Sequence, residues 1–367
     1  MWRINTLVGV LAIGGALVGK SALADQNDVI QAIDEVVEQL NAGNLSYDEA
    51  IDDLQEVIPS PEDFPQRVVE YVVPSGAGGG SDTYARMIGR DAERILGESI
   101  AFNNMPGGGG QVAMAYAVDQ EPDGHTIYGT WAAQIIQCAV GGYQNCVVTD
   151  LDPVIQNQGP TEAFFVAADS PFQTWEDLIE HARENPGGVR IAGAGAMGDD
   201  ELNVAYINDK LGIEIAYMPF DEPGQRFSAV LGGHVDALYG TIGTVLDLIA
   251  DEQLRPLLLV TPEGSPNFDE MVPGDYAVPG AADVGLDFPI LRFRGIWAVQ
   301  GTDPEIIEYL HNVLYASSQL PHYREYEQNA MMHLAQGYRN TEDFGNYARS
   351  VVENLTPILA DLGYIEQ

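Results

Sequence analysis

Val68-Val69-Glu70-Tyr71-Val72-Val73-Pro74-Ser75-Gly76-Ala77-Gly78-Gly79-Gly80-Ser81-Asp82 runs from a β-rich stretch straight into a glycine turn. Tyr84, Ile88 and Ile95 then repeat at helical spacing, and Gly97 marks a stop. Branched and aromatic residues predict the strand, and the 3.6-residue period predicts the helix. The unit recurs at once. Ser99 to Asn103 reads as a strand, Asn104-Met105-Pro106-Gly107-Gly108-Gly109-Gly110 as a loop and Gln111 to Val118 as a helix. Pro122-Asp123-Gly124 turns into a further strand, His125 to Gly129. Strands alternating with helices imply an α/β fold built on a parallel sheet.

Each glycine loop leaves the carboxyl end of a strand and opens a helix. Unpaired backbone N–H groups and the helix dipole attract an anion there. Glycine lets the main chain approach a ligand closely and adopt positive φ. One such loop means little, since glycines often only make a turn. Two in adjacent units can converge on one anionic group, and a carboxylate suits that geometry. Other glycine-loop chemistries fit worse. Neither loop contains the lysine of a phosphate-binding loop. Gly76-Ala77-Gly78-Gly79-Gly80-Ser81 lacks the last glycine of a dinucleotide fingerprint. No nucleophile elbow surrounds Ser81, no His-Glu-x-x-His occurs, and the six histidines are scattered. Catalysis, a cofactor and a metal are not expected.

A second α/β block follows Phe164-Phe165-Val166. It reads as helix Trp175 to Arg183, strand Val189 to Ala192, loop Gly193 to Gly198, helix Asp200 to Leu211 and strand Ile213 to Met218. The loop Pro219 to Gly224, helix Gln225 to Leu231 and strands ending at Tyr239 and Val260 continue it. Arg292 to Val299 looks like a return strand, with helix to the end.

The chain's start has a different character. Arg3, the apolar run Leu7 to Val18 and Ser21-Ala22-Leu23-Ala24 have the layout of a cleaved export signal, too short to span a bilayer. Asn27 to Ile58 predicts a helical hairpin, with Gly43 ending the first helix and Ser46-Tyr47-Asp48-Glu49 a capping box for the second. Its apolar face needs a partner: its own chain, a second copy or another protein. The formal charge is −39, and −41 once the basic Arg3 and Lys20 leave with the signal. That balance argues against nucleic acid and anionic membranes and reads as a halophile's solvated surface. Cys138 and Cys146 flank Gly141-Gly142 and, in an exported protein, read as a disulfide or as two free thiols.

Val73-Pro74 with Gly78-Gly79-Gly80-Ser81-Asp82 and Ala85-Arg86 resembles the first motif of the TctC/Bug family, the periplasmic binding proteins of tripartite tricarboxylate transporters. Asn104 with Pro106 to Gly110, then Pro122-Asp123-Gly124-His125-Thr126, is similar to its second. Asn185-Pro186-Gly187, Leu231 to Asp236, Leu254-Arg255-Pro256-Leu257 and Thr302-Asp303-Pro304 match later motifs in order. The likeness covers about residues 67–367 and leaves the hairpin outside.

The resemblance implies a type II periplasmic-binding fold, two α/β domains with a ligand cleft between them. It divides the chain into a signal at 1–24, a hairpin extension at 25–66, a first domain at 67–167 and 291–367, and a second at 168–290. One ligand carboxylate would be held by Ser75, Gly76, Ala77, Gly78, Gly79, Gly80, Ser81 and Asp82 with Pro106, Gly107, Gly108, Gly109 and Gly110. Ser81 and Asp82 would cap the helix and fix the loop. Thr130, Trp131 and Ala132 would floor the cleft. From the second domain, Gly195, Ala196, Met197, Gly198, Asp199, Phe220, Asp221, Tyr239 and Thr241 would read the rest of the ligand. Here the chain departs from the family's usual Ser or Thr before a His-Leu pair, with Met197-Gly198-Asp199-Asp200-Glu201-Leu202 instead. Those acids are either helix-start residues favoured by the dipole or partners for a ligand ammonium. The implied function is capture of a small organic carboxylate by a monomeric periplasmic receptor and its delivery to membrane permease subunits. A sensor subunit using the hairpin to dock a membrane kinase is the alternative, with an exported enzyme built on Asp82 or Asp221 behind it.

Overall fold

A computed structural model describes residues 26–194, 198–220, 223–260, 278–288, 292–334, 337–361 and 363–365. Two mixed sheets organise them. The first holds β1 (Val69–Val73), β2 (Ile100–Asn104), β3 (Thr126–Trp131), β4 (Leu151–Gln158), β10 (Arg294–Val299) and β11 (Tyr338–Arg339), in the order β11-β4-β10-β3-β1-β2. The second holds β5 (Glu162–Ala167), β6 (Val189–Ala194), β7 (Ile215–Phe220), β8 (Ala237–Thr241) and β9 (Leu254–Val260), in the order β7-β6-β8-β5-β9. In each sheet three parallel strands are joined by antiparallel returns.

The first sheet is covered on both faces, as parallel strands require. Val69, Tyr71 and Val73 of β1 point into one core with α3 (Gly80–Leu96) and the Pro304–Gln319 helix, while Val72 points into the other. That second core joins α4 (Gln111–Val118) and α5 (Ala132–Val140) to the long C-terminal helix, Thr341–Asp361. Gly97 ends α3 in the left-handed conformation at φ 73°.

The chain passes between sheets at residues 159–161, earlier than the boundary expected after residue 167. The cause is hydrophobic. Ala163, Phe164, Phe165 and Val166 are fully buried, and β5 reaches that state by pairing antiparallel with β8 and β9 at once.

The hairpin forms as α1 (Gln26–Asn41) and α2 (Tyr47–Val57), with the Ser46–Glu49 capping box in place. Its apolar face is covered by its own chain. Val29, Ile33, Ala50, Ile51 and Leu54 share one core with Tyr309, Leu310 and Val313. Tyr315 donates to Asp34 at 2.9 Å, and Gln55 donates to the Arg94 carbonyl at 2.9 Å. Cys138 and Cys146 are joined as a disulfide. No helix among the described residues is long and apolar enough to cross a membrane.

Candidate functional site

β1 and β2 are parallel neighbours whose register pairs Val73 with Asn104. Both glycine loops therefore start side by side at the same sheet edge. The first turns from Ser75 to Gly79 and becomes α3. Its N-cap, Gly79, supplies no side chain, so the first-turn N–H groups keep their capacity for an outside acceptor. The second loop has positive φ at four successive residues, Gly107 (136°), Gly108 (57°), Gly109 (65°) and Gly110 (100°). L side chains are disfavoured there, which is why the run is all glycine. Gln137 donates to the Gly109 carbonyl at 3.0 Å, and the Gly110 N–H closes onto Gly107 at 3.0 Å.

Asp82 lies behind the first loop rather than in front of it. It is buried and accepts from the Gly78 N–H at 2.8 Å, Arg86 at 3.0 Å and Asn104 at 3.0 Å. Burial opposes its charge, but those hydrogen bonds prevail and hold its carboxyl below the ordinary carboxylate range. Asn104 donates also to the Ser75 carbonyl at 3.0 Å, so one side chain ties both loops together.

The loops open on a cleft of about 1000 Å³. Ser75 through Ser81, Gly108 and Gly109 form one wall, and Trp131, Ala133, Ile136, Gln137, Val140 and Tyr143 form an amphipathic floor. Ala194 of the second sheet, with Gly198 and Asp199 at the start of the Asp199–Leu211 helix, faces them. The remaining expected residues fall elsewhere. Pro106 and Gly107 are exposed outside the lining, and Gly110 is buried. Thr130 is buried and donates to Gln134 at 2.6 Å, and Ala132 is buried beneath the floor. Phe220 lines a separate hollow with His234. Gly195, Ala196, Met197 and Asp221 lie outside the described residues.

Tyr239 and Thr241 support a buried charge cluster instead of touching the cleft. Arg292 contacts Asp199 at 2.9 Å, Asp200 at 2.5 Å and Glu162 at 3.1 Å. Tyr239 donates to Glu162 at 2.8 Å, and Arg226 stands 3.8 Å from Asp200. Burial pushes the Glu162 and Asp200 carboxyls up, against the pull of Arg292. Burial would lower the Arg292 guanidinium, yet its three acids raise it further. The acids lie within 4.8 Å of one another, as metal ligands do, but a guanidinium already stands among them.

Sequence reasoning missed Arg292 and Arg294, both of which line the cleft. The signal was present: two arginines flank Phe293 at the entry to a strand that is otherwise fully apolar.

A family profile described as the tripartite tricarboxylate transporter family receptor, TctC, matches residues 84–364. The chain belongs to the TctC family. The match begins two residues past Asp82 and so contains the second glycine loop but not the first. A UPF0065 protein from the gbd 5′ region of Cupriavidus necator is 27% identical over 308 residues, 82% of this chain and 89% of that protein. A TctC solute-binding protein from Polaromonas shares the fold, with TM-score 0.70, 22% identity, and coverage of 81% of this chain and 99% of that one. MatC from Rhodopseudomonas palustris, with bound malate, does so at TM-score 0.65 and 20% identity, covering 81% of this TctC protein and 100% of MatC. This family and its fold neighbours are solute-binding receptors, not enzymes.

Proposed function

We propose that this TctC protein captures one small organic carboxylate between its two glycine loops and delivers it to membrane permease subunits of a tripartite tricarboxylate transporter. The carrying observation is the Val73–Asn104 register, which sets two uncapped loops side by side on a single cleft. Charge-assisted hydrogen bonds of ~1.5–3 kcal/mol each, less association costs, support micromolar binding. Malate in MatC is a ligand of the same class. The ligand's body would rest on Trp131 and Ile136, and closure of the two sheets' halves over it would create the form the permease reads.

The short apolar segment at Leu7 to Val18 and the Cys138–Cys146 disulfide support export to the periplasm. A formal charge of −39 supports a high-salt setting, because molar salt screens self-repulsion within ~3 Å.

Thermal-shift measurements in 0.1 and 2 M NaCl, with malate, adipate, citrate, lactate, benzoate and glutamate, test the reading. At least one acid should raise the melting temperature and be recovered chemically unchanged. No shift with any acid at either salt concentration overturns it.

A further inference from the structure

Arg294 is the cleft's unanswered charge. It lines the cavity beside the first glycine loop, and no carboxylate among the described residues lies within ion-pair distance of it. Its Nη1 donates to the neutral Gln158 carbonyl, and its Nε is buried with no hydrogen-bond partner. The other groups that act on it are the phenols Tyr84, Tyr323 and Tyr326, and Arg292 adds a like charge. The contrast with Arg292, two residues earlier, is complete: that guanidinium holds three carboxylates. A chain with 55 acids for 16 bases has ample carboxylates to offer. Arg294 is half-buried at the cleft wall and its Nη1 is held by a neutral amide, so its charge is left for an arriving anion to answer. Ser75 repeats the pattern, since its Oγ is buried in the same wall without a partner.

We infer that Arg294 is the cationic partner of the bound carboxylate, so that the acid is held by a guanidinium as well as by main-chain amides. The inference rests on the carboxylate reading above and adds a specificity-determining residue to it. Arg292 cannot serve in its place, being saturated by Glu162, Asp199 and Asp200. A guanidinium fork also orients the carboxylate plane, which amides on a flexible glycine turn do less well. The salt bridge makes ionisation of the ligand obligatory. An amide of the same shape should be rejected.

Isothermal titration with lactate, benzoate, malate and glutamate, and with lactamide and benzamide, compares the full chain with Arg294→Gln and Arg294→Lys. For acids that bind the unaltered protein, Arg294→Gln should weaken binding at least tenfold and narrow the preference for acid over amide. Arg294→Lys should recover part of both. The ligand-free melting temperature of Arg294→Gln should hold or rise, because an uncompensated charge is gone. If Arg294→Gln binds the acids as tightly as the unaltered protein, the inference fails while carboxylate capture stands. If it loses ligand-free stability and affinity together and Arg294→Lys restores neither, Arg294 is a structural prop and the inference fails again. If no acid binds the unaltered protein, both readings fall.

Discussion

The Nη2 of Arg294 lies 2.6 Å from where a Cβ on Gly80 would stand. Gly80 opens α3, and its backbone is not in the left-handed region, so alanine suits the conformation and improves helix propensity there. The conflict is with the guanidinium alone. Gly80→Ala should therefore leave the ligand-free melting temperature within a few degrees, displace Arg294 and weaken acid binding about tenfold or more. Calorimetric titration and thermal melts on the same sample check the two halves. Equal affinity in Gly80→Ala would show that the guanidinium position does not matter to the ligand.

Asn104 is the tie between the loops, with both its Ser75 and Asp82 contacts at 3.0 Å. Asn104→Ala should cost about 1–2 kcal/mol in urea unfolding, as for a lost pair of part-buried hydrogen bonds. Its larger effect should fall on affinity, since both anion-binding turns lose their common reference. Asn104→Asp should do worse near neutral pH, where it sets a second carboxylate against Asp82. Lowering the pH toward the carboxylate range should narrow the gap between the two variants.

The hairpin's role is structural where it touches the first sheet's outer layer. Leu54 is fully buried in the core shared with Tyr309 and Leu310. Leu54→Ala should cost roughly 2–5 kcal/mol of unfolding free energy and leave acid affinity unchanged, because the cleft is lined from the opposite end of β1. Urea melts and titration calorimetry separate the two.

His311 gives the fold an acid limit. It is fully buried in the Pro304–Gln319 helix, with Asn312 at 2.9 Å, Tyr338 at 3.2 Å and Gln26 of the hairpin at 3.2 Å. Burial depresses its imidazole from 6.5 to about 4, against the hydrogen bond to Asn312. The unfolded chain takes up this proton near its ordinary value, the folded chain only near 4. Stability from this group is thus complete above pH 6.5, falls as the pH drops through that value and levels off below about 4, a loss of about 3 kcal/mol. Melts from pH 7.5 to 4 should show a steeper acid decline in the unaltered chain than in His311→Asn. Parallel profiles would deny the histidine this part.

Much of the architecture was legible because its signals are local. Gln111–Val118 begins and ends where the loop glycines and apolar spacing place it, and Ser46 and Glu49 announced their helix. β4 was not legible. Its sequence, Leu151-Asp152-Pro153-Val154-Ile155-Gln156-Asn157-Gln158, carries a proline and ends in three polar residues that bury only because tertiary partners receive them. Gln156 donates to the Gly337 carbonyl at 2.9 Å, and Gln158 takes the Arg294 guanidinium. The site divided likewise. Glycine loops declare themselves in sequence, whereas Arg292 and Arg294 acquire their meaning from which acids stand near each, and that is fixed by strands far apart in the chain.

Asp199 faces the cleft from the wall opposite the glycine loops, at the start of the Asp199–Leu211 helix. Of the three acids around Arg292 it is the one that lines the cleft, so an ionised second carboxylate on the ligand would meet its negative charge there. Asp199→Asn keeps the shape and a hydrogen-bonding oxygen for Arg292 while removing one charge. The variant should bind malate several-fold tighter, on the order of 1 kcal/mol for a charge pair in a partly hydrated cleft, and lactate nearly as before. The malate advantage should shrink in 1 M NaCl, where screening reaches ~3 Å. If malate and lactate gain equally, Asp199 acts by loosening Arg292 rather than by repelling a second carboxylate, and the cleft's polarity does not select the ligand's far end.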